Sequence, residues 1–138
     1  MAFNSLFICQ RYFLMKKCIL VTGSLLGALA VILGALGSHL FEDYLISVDR
    51  LDTYKTAIRY QFYHVFLILI IGVLYNHSYR SIIKCAFYLS VIGLFLFSGS
   101  LYMLCFTNYS EWGMVTPVGG LFLICSWLFF CFSIKKSS

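Results

Sequence analysis

The sequence predicts an all-α fold in which four transmembrane helices form one bundle. Hydrophobic residues make up 62% of the 138 residues and charged residues only 11%, with a mean hydropathy of +0.92. A soluble domain of this size needs more polar residues to cover its surface. The chain also contains four apolar stretches, each close to the ~20 residues that a helix needs to cross the hydrocarbon core. Because backbone amides in that core must find partners within their own segment, each stretch is predicted to be helical.

The four predicted spans cover residues 18–40, 60–79, 85–106 and 114–134, and the first and third contain no charged residue. An amphipathic outer segment that begins at Asp49 leads directly into the second span. Its helical periodicity predicts one face toward lipid and the opposite face toward the bundle interior. The predicted lipid face consists of Leu51, Tyr54, Ile58, Phe62, Val65 and Leu69. The predicted interior face consists of Thr56, Arg59, Tyr60, Gln61, Tyr63 and His64.

The distribution of Lys and Arg predicts the orientation. Seven basic residues fall on the side of the two termini, namely Arg11, Lys16, Lys17, Arg80, Lys84, Lys135 and Lys136. The opposite side receives Arg50, Lys55 and Arg59. Because cytoplasmic segments carry the excess of basic residues, both termini are predicted to be cytoplasmic and the protein to lie in the inner (plasma) membrane.

Residues 1–14 are predicted to be an N-terminal extension of a membrane domain that covers residues 15–138. Met15 and the two lysines that follow it stand directly before the first span, as the start of such a protein often does. Met1 and Met15 are therefore both candidate starts of the chain.

The positions of the charged residues and of the cysteines indicate which partners and cofactors to expect. Lys and Arg occur in short clusters at the ends of apolar runs, without a basic stripe of the kind that binds nucleic acid, so no nucleic-acid partner is predicted. The predicted partner is the lipid bilayer, with a homo-oligomer as a further expectation. The six cysteines show no CxxC or Cys/His ligand spacing and are interpreted as small hydrophobic residues that lie in the membrane, so no metal or cofactor is predicted.

Small residues predict where the helices approach each other. In the first span they recur at intervals of three and four residues, which places them on one helix face. Thr116 and Pro117 are predicted to open the fourth helix, since threonine caps free amides and proline at the first position loses no hydrogen bond. The glycines predicted to lie at helix contacts are Gly23, Gly27, Gly34, Gly93, Gly119 and Gly120.

Polar residues from all four spans are predicted to gather near the outer ends of the helices. They are His39, Arg59, Tyr60, Gln61, His64, Ser100, Tyr102 and Thr116. One interpretation is a structural lock, because polar groups in lipid must find partners. The other is a proton-responsive or ligand-binding site built on His39 and His64.

No catalytic residues are predicted, and the chain is not expected to be an enzyme. It contains no Ser/His/Asp arrangement, no carboxylate pair in a span, no HExxH and no phosphate-binding loop. All five acidic residues lie in predicted outer loops, so a mid-membrane carboxylate that couples protons to transport is missing. A structural or interaction role is favoured. The alternative is a small transporter or channel that uses the His39 and His64 cluster.

Four motifs indicate a family: GALGSHL at 34–40, YKTAIRYQFYH at 54–64, SGSLYML at 98–104 and TPVGGLFLICSW at 116–127. In this order they closely resemble the small membrane proteins of domain-of-unknown-function family 423, which includes YgdD- and YwdK-like proteins and is related to transmembrane protein 256. The match covers about residues 15–134. The residues that carry the family pattern are Gly34, Gly37, His39, Thr56, Arg59, Tyr60, Gln61, His64, Gly99, Ser100, Tyr102, Thr116, Pro117, Gly119, Gly120 and Trp127.

The resemblance implies a four-helix inner-membrane protein without an assigned reaction, with a role linked to membrane integrity. Two positions depart from the pattern. Ser38 stands where the family usually has alanine, and Ser126 stands where it tends to have glycine. Residues 1–14 lie outside the pattern.

Overall fold

The computed structural model describes the backbone of residues 2–134 and the side chains of residue 10 and of residues 13–134. Its helices are α1 (Ala2–His39), α2 (Glu42–Ser47), α3 (Leu51–Leu74), α4 (Arg80–Thr107) and α5 (Trp112–Ser133), and a 3-10 turn at Tyr75–His77 follows α3. Within the described residues, four segments are long and apolar enough to cross a membrane: Phe13–His39, Leu51–His77, Arg80–Thr107 and Trp112–Ser133. The predicted all-α fold with four membrane helices is confirmed.

The helices are longer than the predicted spans. α1 begins at Ala2 and runs without a break through the segment predicted to be an extension. α3 begins at Leu51, so the amphipathic segment and the second span form one helix. α5 begins at Trp112, so Thr116 and Pro117 lie inside the helix, and the prediction that they open it is wrong. The basic residues Lys135 and Lys136 lie outside the described residues.

The bundle is built around α3 and α4, which pack against each other. α1 packs on α3, and α5 packs on α4. We call the end that carries α2 and the α4–α5 connection the α2 end. The other end, formed by the first part of α1, the 3-10 turn and the start of α4, is called the basic end.

Two groups of buried side chains hold this arrangement together. Near the α2 end, Tyr54 packs with Leu45 and Cys105. α1 and α5 contribute little to either group and leave most of their apolar side chains exposed, as expected for helices that face lipid. The group nearer the basic end consists of Ile19, Leu67, Ile68, Ile71, Tyr75, Ile83, Ala86 and Phe87.

The predicted faces of α3 are only partly correct. Gln61 and His64 are buried, as predicted for the interior face. Tyr54 and Val65 are also buried, although both were predicted to face lipid, and Tyr63 of the predicted interior face is 53% exposed. The physical reason is that α3 packs against two helices instead of one. Its second buried side rests on α1, where glycines leave room for Tyr54 and Val65.

The glycines differ in how closely another helix approaches them. A Cβ on Gly23 would lie 2.8 Å from Leu69 Cδ2, and one on Gly93 would lie 2.7 Å from Leu123 Cδ2. A Cβ on Gly27 would lie 3.2 Å from Val65 Cγ1, and one on Gly119 would overlap the backbone of α4. These positions therefore lie at helix contacts.

Two of the predicted packing glycines have open space or ordinary contacts. A Cβ on Gly34 would meet no atom within 4 Å, so Gly34 lies at no close contact between the described helices. A Cβ on Gly120 would lie 3.7 Å from the Phe97 ring, which is a normal contact distance. Gly37 and Gly72, which were not among the predicted contacts, are close ones. A side chain there would collide with Tyr54 and with Leu20, respectively.

Candidate functional site: the interior polar network

Gln61 of α3 joins three helices through its side-chain amide. Its Nε2 donates to the carbonyl oxygen of Leu26 in α1 at 3.0 Å, and its Oε1 accepts a hydrogen bond from the Tyr102 hydroxyl of α4 at 2.8 Å. Gln61 is 3% exposed. Since no water competes for these groups in a bilayer core, a buried amide that bonds to two other helices fixes their relative height and rotation.

Serines connect α4 to its two neighbours. Ser98 Oγ donates to the carbonyl oxygen of Ala57 in α3 at 2.9 Å. On the other side of α4, Ser100 Oγ and Thr116 Oγ1 of α5 are 2.8 Å apart. Ser90 and Ser126 share a hydrogen bond deeper along the same interface, and Ser126 Oγ also donates to the carbonyl oxygen of Ala86 at 2.9 Å. Small hydroxyl side chains thus bond across helices that small residues allow to approach closely.

His64 and Trp127 connect α3 with α5. The indole Nε1–H of Trp127 donates to His64 Nε2 at 3.3 Å, and His64 Nδ1 lies 2.9 Å from the carbonyl oxygen of Tyr60. Indole nitrogen only donates, so Nε2 must accept, and Nδ1 must carry the proton that bonds Tyr60. This pairing requires a neutral imidazole, because a proton on Nε2 would point at the indole N–H.

Tyr54 and Arg50 extend the network to the α2 end. The Tyr54 hydroxyl donates to the carbonyl oxygen of Leu33 in α1 at 2.7 Å, and its ring lies edge-on to Tyr102 with centroids 5.3 Å apart. Arg50 donates through Nε and a terminal nitrogen to Asn108 Oδ1 at 3.2 and 3.0 Å. Asn108 ends α4 with a left-handed φ of 55°, a conformation that asparagine tolerates.

The structure brings together five of the predicted cluster residues within these bonds: Gln61, His64, Ser100, Tyr102 and Thr116. Tyr60 contributes its carbonyl oxygen, and its ring packs against Phe97 at a tilt of 37° with centroids 4.6 Å apart. His39 and Arg59 are exposed and lie outside the network. His64 follows the start of α3 by thirteen residues, about 20 Å along the axis, so it lies far below the end of α1 that carries His39.

Seven network residues are not among the eight polar residues of the predicted cluster: Arg50, Tyr54, Ser90, Ser98, Asn108, Ser126 and Trp127. Ser98 lies two residues before Ser100 and bonds to α3, whereas Ser100 bonds to α5. Trp127 carries the family pattern, yet nothing in its sequence position points to His64. Ser126 departs from the family pattern, and it is fully buried here with hydrogen bonds to two positions of α4.

An aromatic groove opens beside His64. It has a volume of about 410 Å³ and lies between α3, α4 and α5. Tyr60, Tyr63, Phe97 and Trp127 supply most of its wall. Both nitrogens of His64 are engaged in hydrogen bonds, so the groove presents mainly apolar carbon, from aromatic rings and from Leu123 and Ile124. Among the described residues no group of three or more His, Cys, Asp or Glu side chains is placed to hold a metal ion.

The Trp127→Phe substitution tests the bond between α3 and α5. Phenylalanine keeps the aromatic wall but removes the donor, so we expect a loss of about 0.6 kcal/mol in the free energy of unfolding, and no more than roughly 1.7 kcal/mol. Unfolding in mixed micelles, followed by circular dichroism, gives this value. Trp112→Phe, at the start of α5, is the matched control and should change stability less. A larger loss for Trp112→Phe would contradict the assigned bond.

Comparisons with known proteins identify the family. The family model described as "Protein of unknown function (DUF423)" matches residues 33–120. A UPF0382 membrane protein of Staphylococcus haemolyticus is 35% identical over 120 residues, which are 87% of this chain and 97% of that protein. YwdK of Bacillus subtilis, also called a UPF0382 membrane protein, is 35% identical over 81% of this chain and 91% of its own length.

The inner membrane protein YgdD of Escherichia coli K12 is 32% identical over 81% of this chain and 85% of its own length. No solved structure matches the chain. The matched region contains most of the interior network, including Gln61, His64, Ser98, Ser100 and Tyr102. The chain therefore belongs to the DUF423 family of small membrane proteins, as the four sequence motifs predicted.

Proposed function

We propose that this membrane protein is a structural or interaction protein of the plasma membrane that supports membrane integrity, and that it is not an enzyme. The observation that carries the proposal is the closed interior. Polar side chains of α3, α4 and α5 bond to one another or to carbonyl oxygens of neighbouring helices, including those of Leu26 and Leu33 in α1. Groups satisfied in this way stabilise one helix arrangement.

The distribution of charge supports an orientation with both termini in the cytoplasm. Arg80 and Lys84 lie at the basic end with Lys16 and Lys17, while all five acidic residues belong to the α2 end. The positive-inside rule then favours the basic end on the cytoplasmic side. Fusing a reporter to either terminus tests this part of the proposal, because a reporter active only outside the cytoplasm should stay silent at both ends.

Lateral contacts are the proposed mode of action. α1 and α5 carry large exposed apolar side chains along most of their lengths, including Leu25 at 66%, Val31 at 60% and Leu121 at 62% exposure. In a bilayer these side chains meet lipid tails or a second copy of the chain. Helix association in lipid is driven by packing rather than by hydrophobic exclusion. The small residues of α1 and α5 therefore allow close packing against lipid tails or against a second copy of the chain.

Cells that lack the protein test the role. We expect deletion to sensitise them to detergents while solute uptake stays unchanged, and the wild-type gene to restore resistance. His64→Leu should restore resistance only to the extent that the variant folds, because His64 serves the packing of α3 and α5. A variant that folds fully, judged by a wild-type unfolding curve, yet fails to restore resistance would contradict a structural role for His64.

A small transporter or channel is the second candidate, and the groove of about 410 Å³ beside His64 is the observation that favours it. His39 lies far from that groove, so the candidate depends on His64 alone. Proteoliposomes distinguish the two candidates. A structural protein should add no proton or dye flux above protein-free vesicles, whereas flux that His64→Leu abolishes without unfolding the protein would favour transport.

A further inference from the structure

A second cavity lies at the basic end and shares no lining residue with the aromatic groove. It has a volume of about 570 Å³ and is formed where α1 passes the 3-10 turn and the start of α4. Its polar wall consists of Lys16 and Lys17 from α1, Asn76 from the turn and Arg80 from α4. Three cationic side chains from two helices therefore border one cavity.

The remaining wall of this cavity is apolar and continues along the membrane span. Phe13, Leu20 and Val21 of α1 form it. Leu20 is held in place by Gly72 of α3, since a Cβ there would come within 2.6 Å of Leu20 Cδ2. The close approach of α1 to α3 at Gly72 thus fixes the position of the apolar wall relative to the lysines.

No acidic residue of the sequence lies at this end. Glu42, Asp43, Asp49, Asp52 and Glu111 all belong to α2, to the first turn of α3 or to the connections at the α2 end. The opposite end is some 24 residues of helix away along α3, about 36 Å. Their fields are screened over such a distance, so none of these five carboxylates neutralises Lys16 or Lys17.

We propose that this cavity is a binding site for one anionic phospholipid, with the headgroup phosphate on Lys16 and Lys17 and an acyl chain along Leu20 and Val21. Basic pockets at the ends of membrane helices suit such headgroups because charge and hydrogen bonds act together there. The apolar wall favours a lipid over free phosphate, because free phosphate has no acyl chain to pack against it. This inference does not rest on the proposed structural role.

Native mass spectrometry of the full-length protein tests the site, with phosphatidylglycerol and phosphatidylcholine as probes. The wild-type chain should retain one phosphatidylglycerol in preference to phosphatidylcholine. In the double variant Lys16→Gln/Lys17→Gln we expect binding of phosphatidylglycerol to weaken roughly 25-fold, since each lysine near a membrane surface contributes about fivefold. Circular dichroism and the unfolding midpoint should match the wild type.

A second double variant, Lys55→Gln/Lys84→Gln, is the matched control because it removes the same charge from positions outside the cavity. It should bind phosphatidylglycerol within about twofold of the wild type, as neither side chain borders the cavity. An equal loss in both double variants would show a general charge effect and overturn the site. Equal binding of the two lipids, or displacement by millimolar inorganic phosphate, would overturn the assignment to an anionic phospholipid.

Discussion

Gly119→Ala is expected to destabilise the bundle by roughly 3 kcal/mol, because one methyl group at this position would collide with the backbone of α4. A Cβ there would overlap the amide nitrogen of Phe97 and lie 2.8 Å from the carbonyl carbon of Leu96. Backbone atoms of a helix cannot move away by a rotamer change as a side chain can, so α4 and α5 must separate. Separation also lengthens the bonds between Ser100 and Thr116 and between Ser90 and Ser126. The unfolding free energy in mixed micelles measures the effect.

Gly120→Ala provides the control one residue away. Its Cβ would meet only the Phe97 ring at 3.7 Å, and alanine is the better helix former by up to about 1 kcal/mol. The control should therefore be neutral or slightly stabilising. If Gly119→Ala and Gly120→Ala have the same effect, the close approach of α4 and α5 at Gly119 is incorrect.

Tyr54→Ala should have the second large effect, a loss of roughly 3 kcal/mol in unfolding free energy. The ring of Tyr54 fills the space above Gly37, lies edge-on to Phe106 and is 1% exposed. Truncation leaves a cavity where α1, α3 and α4 meet, because the rigid helices around it cannot close fully. Thermal unfolding of the purified variant measures the loss.

Tyr54→Phe separates the ring from its hydroxyl group. It keeps the packing and removes only the bond to the Leu33 carbonyl oxygen, so a cost of about 0.6 kcal/mol is expected. A Tyr54→Phe variant as unstable as Tyr54→Ala would mean that the hydrogen bond, and not the ring above Gly37, holds α1 against α3.

Hydropathy was sufficient to predict the four membrane helices, but not which face of each helix packs against another helix. Four long apolar runs in one chain have a single solution in a bilayer, so their helical state was predictable from composition and length. The side of each helix that faces lipid was less predictable, because lipid and protein interiors are equally apolar. Tyr54 and Val65 show this: their periodicity fits a lipid face, and only the glycines of α1 make that face a contact.

The candidate site was predictable at polar residues within the membrane spans, because such a residue needs a hydrogen-bond partner inside the membrane. Gln61, His64 and Tyr102 are polar residues within apolar runs, and the structure places all three in hydrogen bonds. Their exact partners depend on helix rotation and height, which the sequence does not encode locally. The depth of each histidine in the bundle also determines whether it joins the network. His39 ends α1 and is exposed, whereas His64 lies thirteen residues inside α3 and is buried.

The bundle interior is expected to exclude water, and labelling of single cysteines tests this expectation most directly. In a background with the six native cysteines replaced by alanine, Ser98→Cys places a thiol at a position that is 2% exposed, and Ser110→Cys places one in the exposed α4–α5 connection. A water-soluble maleimide should modify Ser110→Cys within minutes and leave Ser98→Cys unmodified for hours in liposomes. Comparable labelling of both positions in a folded protein would contradict the closed network and favour a water-filled path through the bundle.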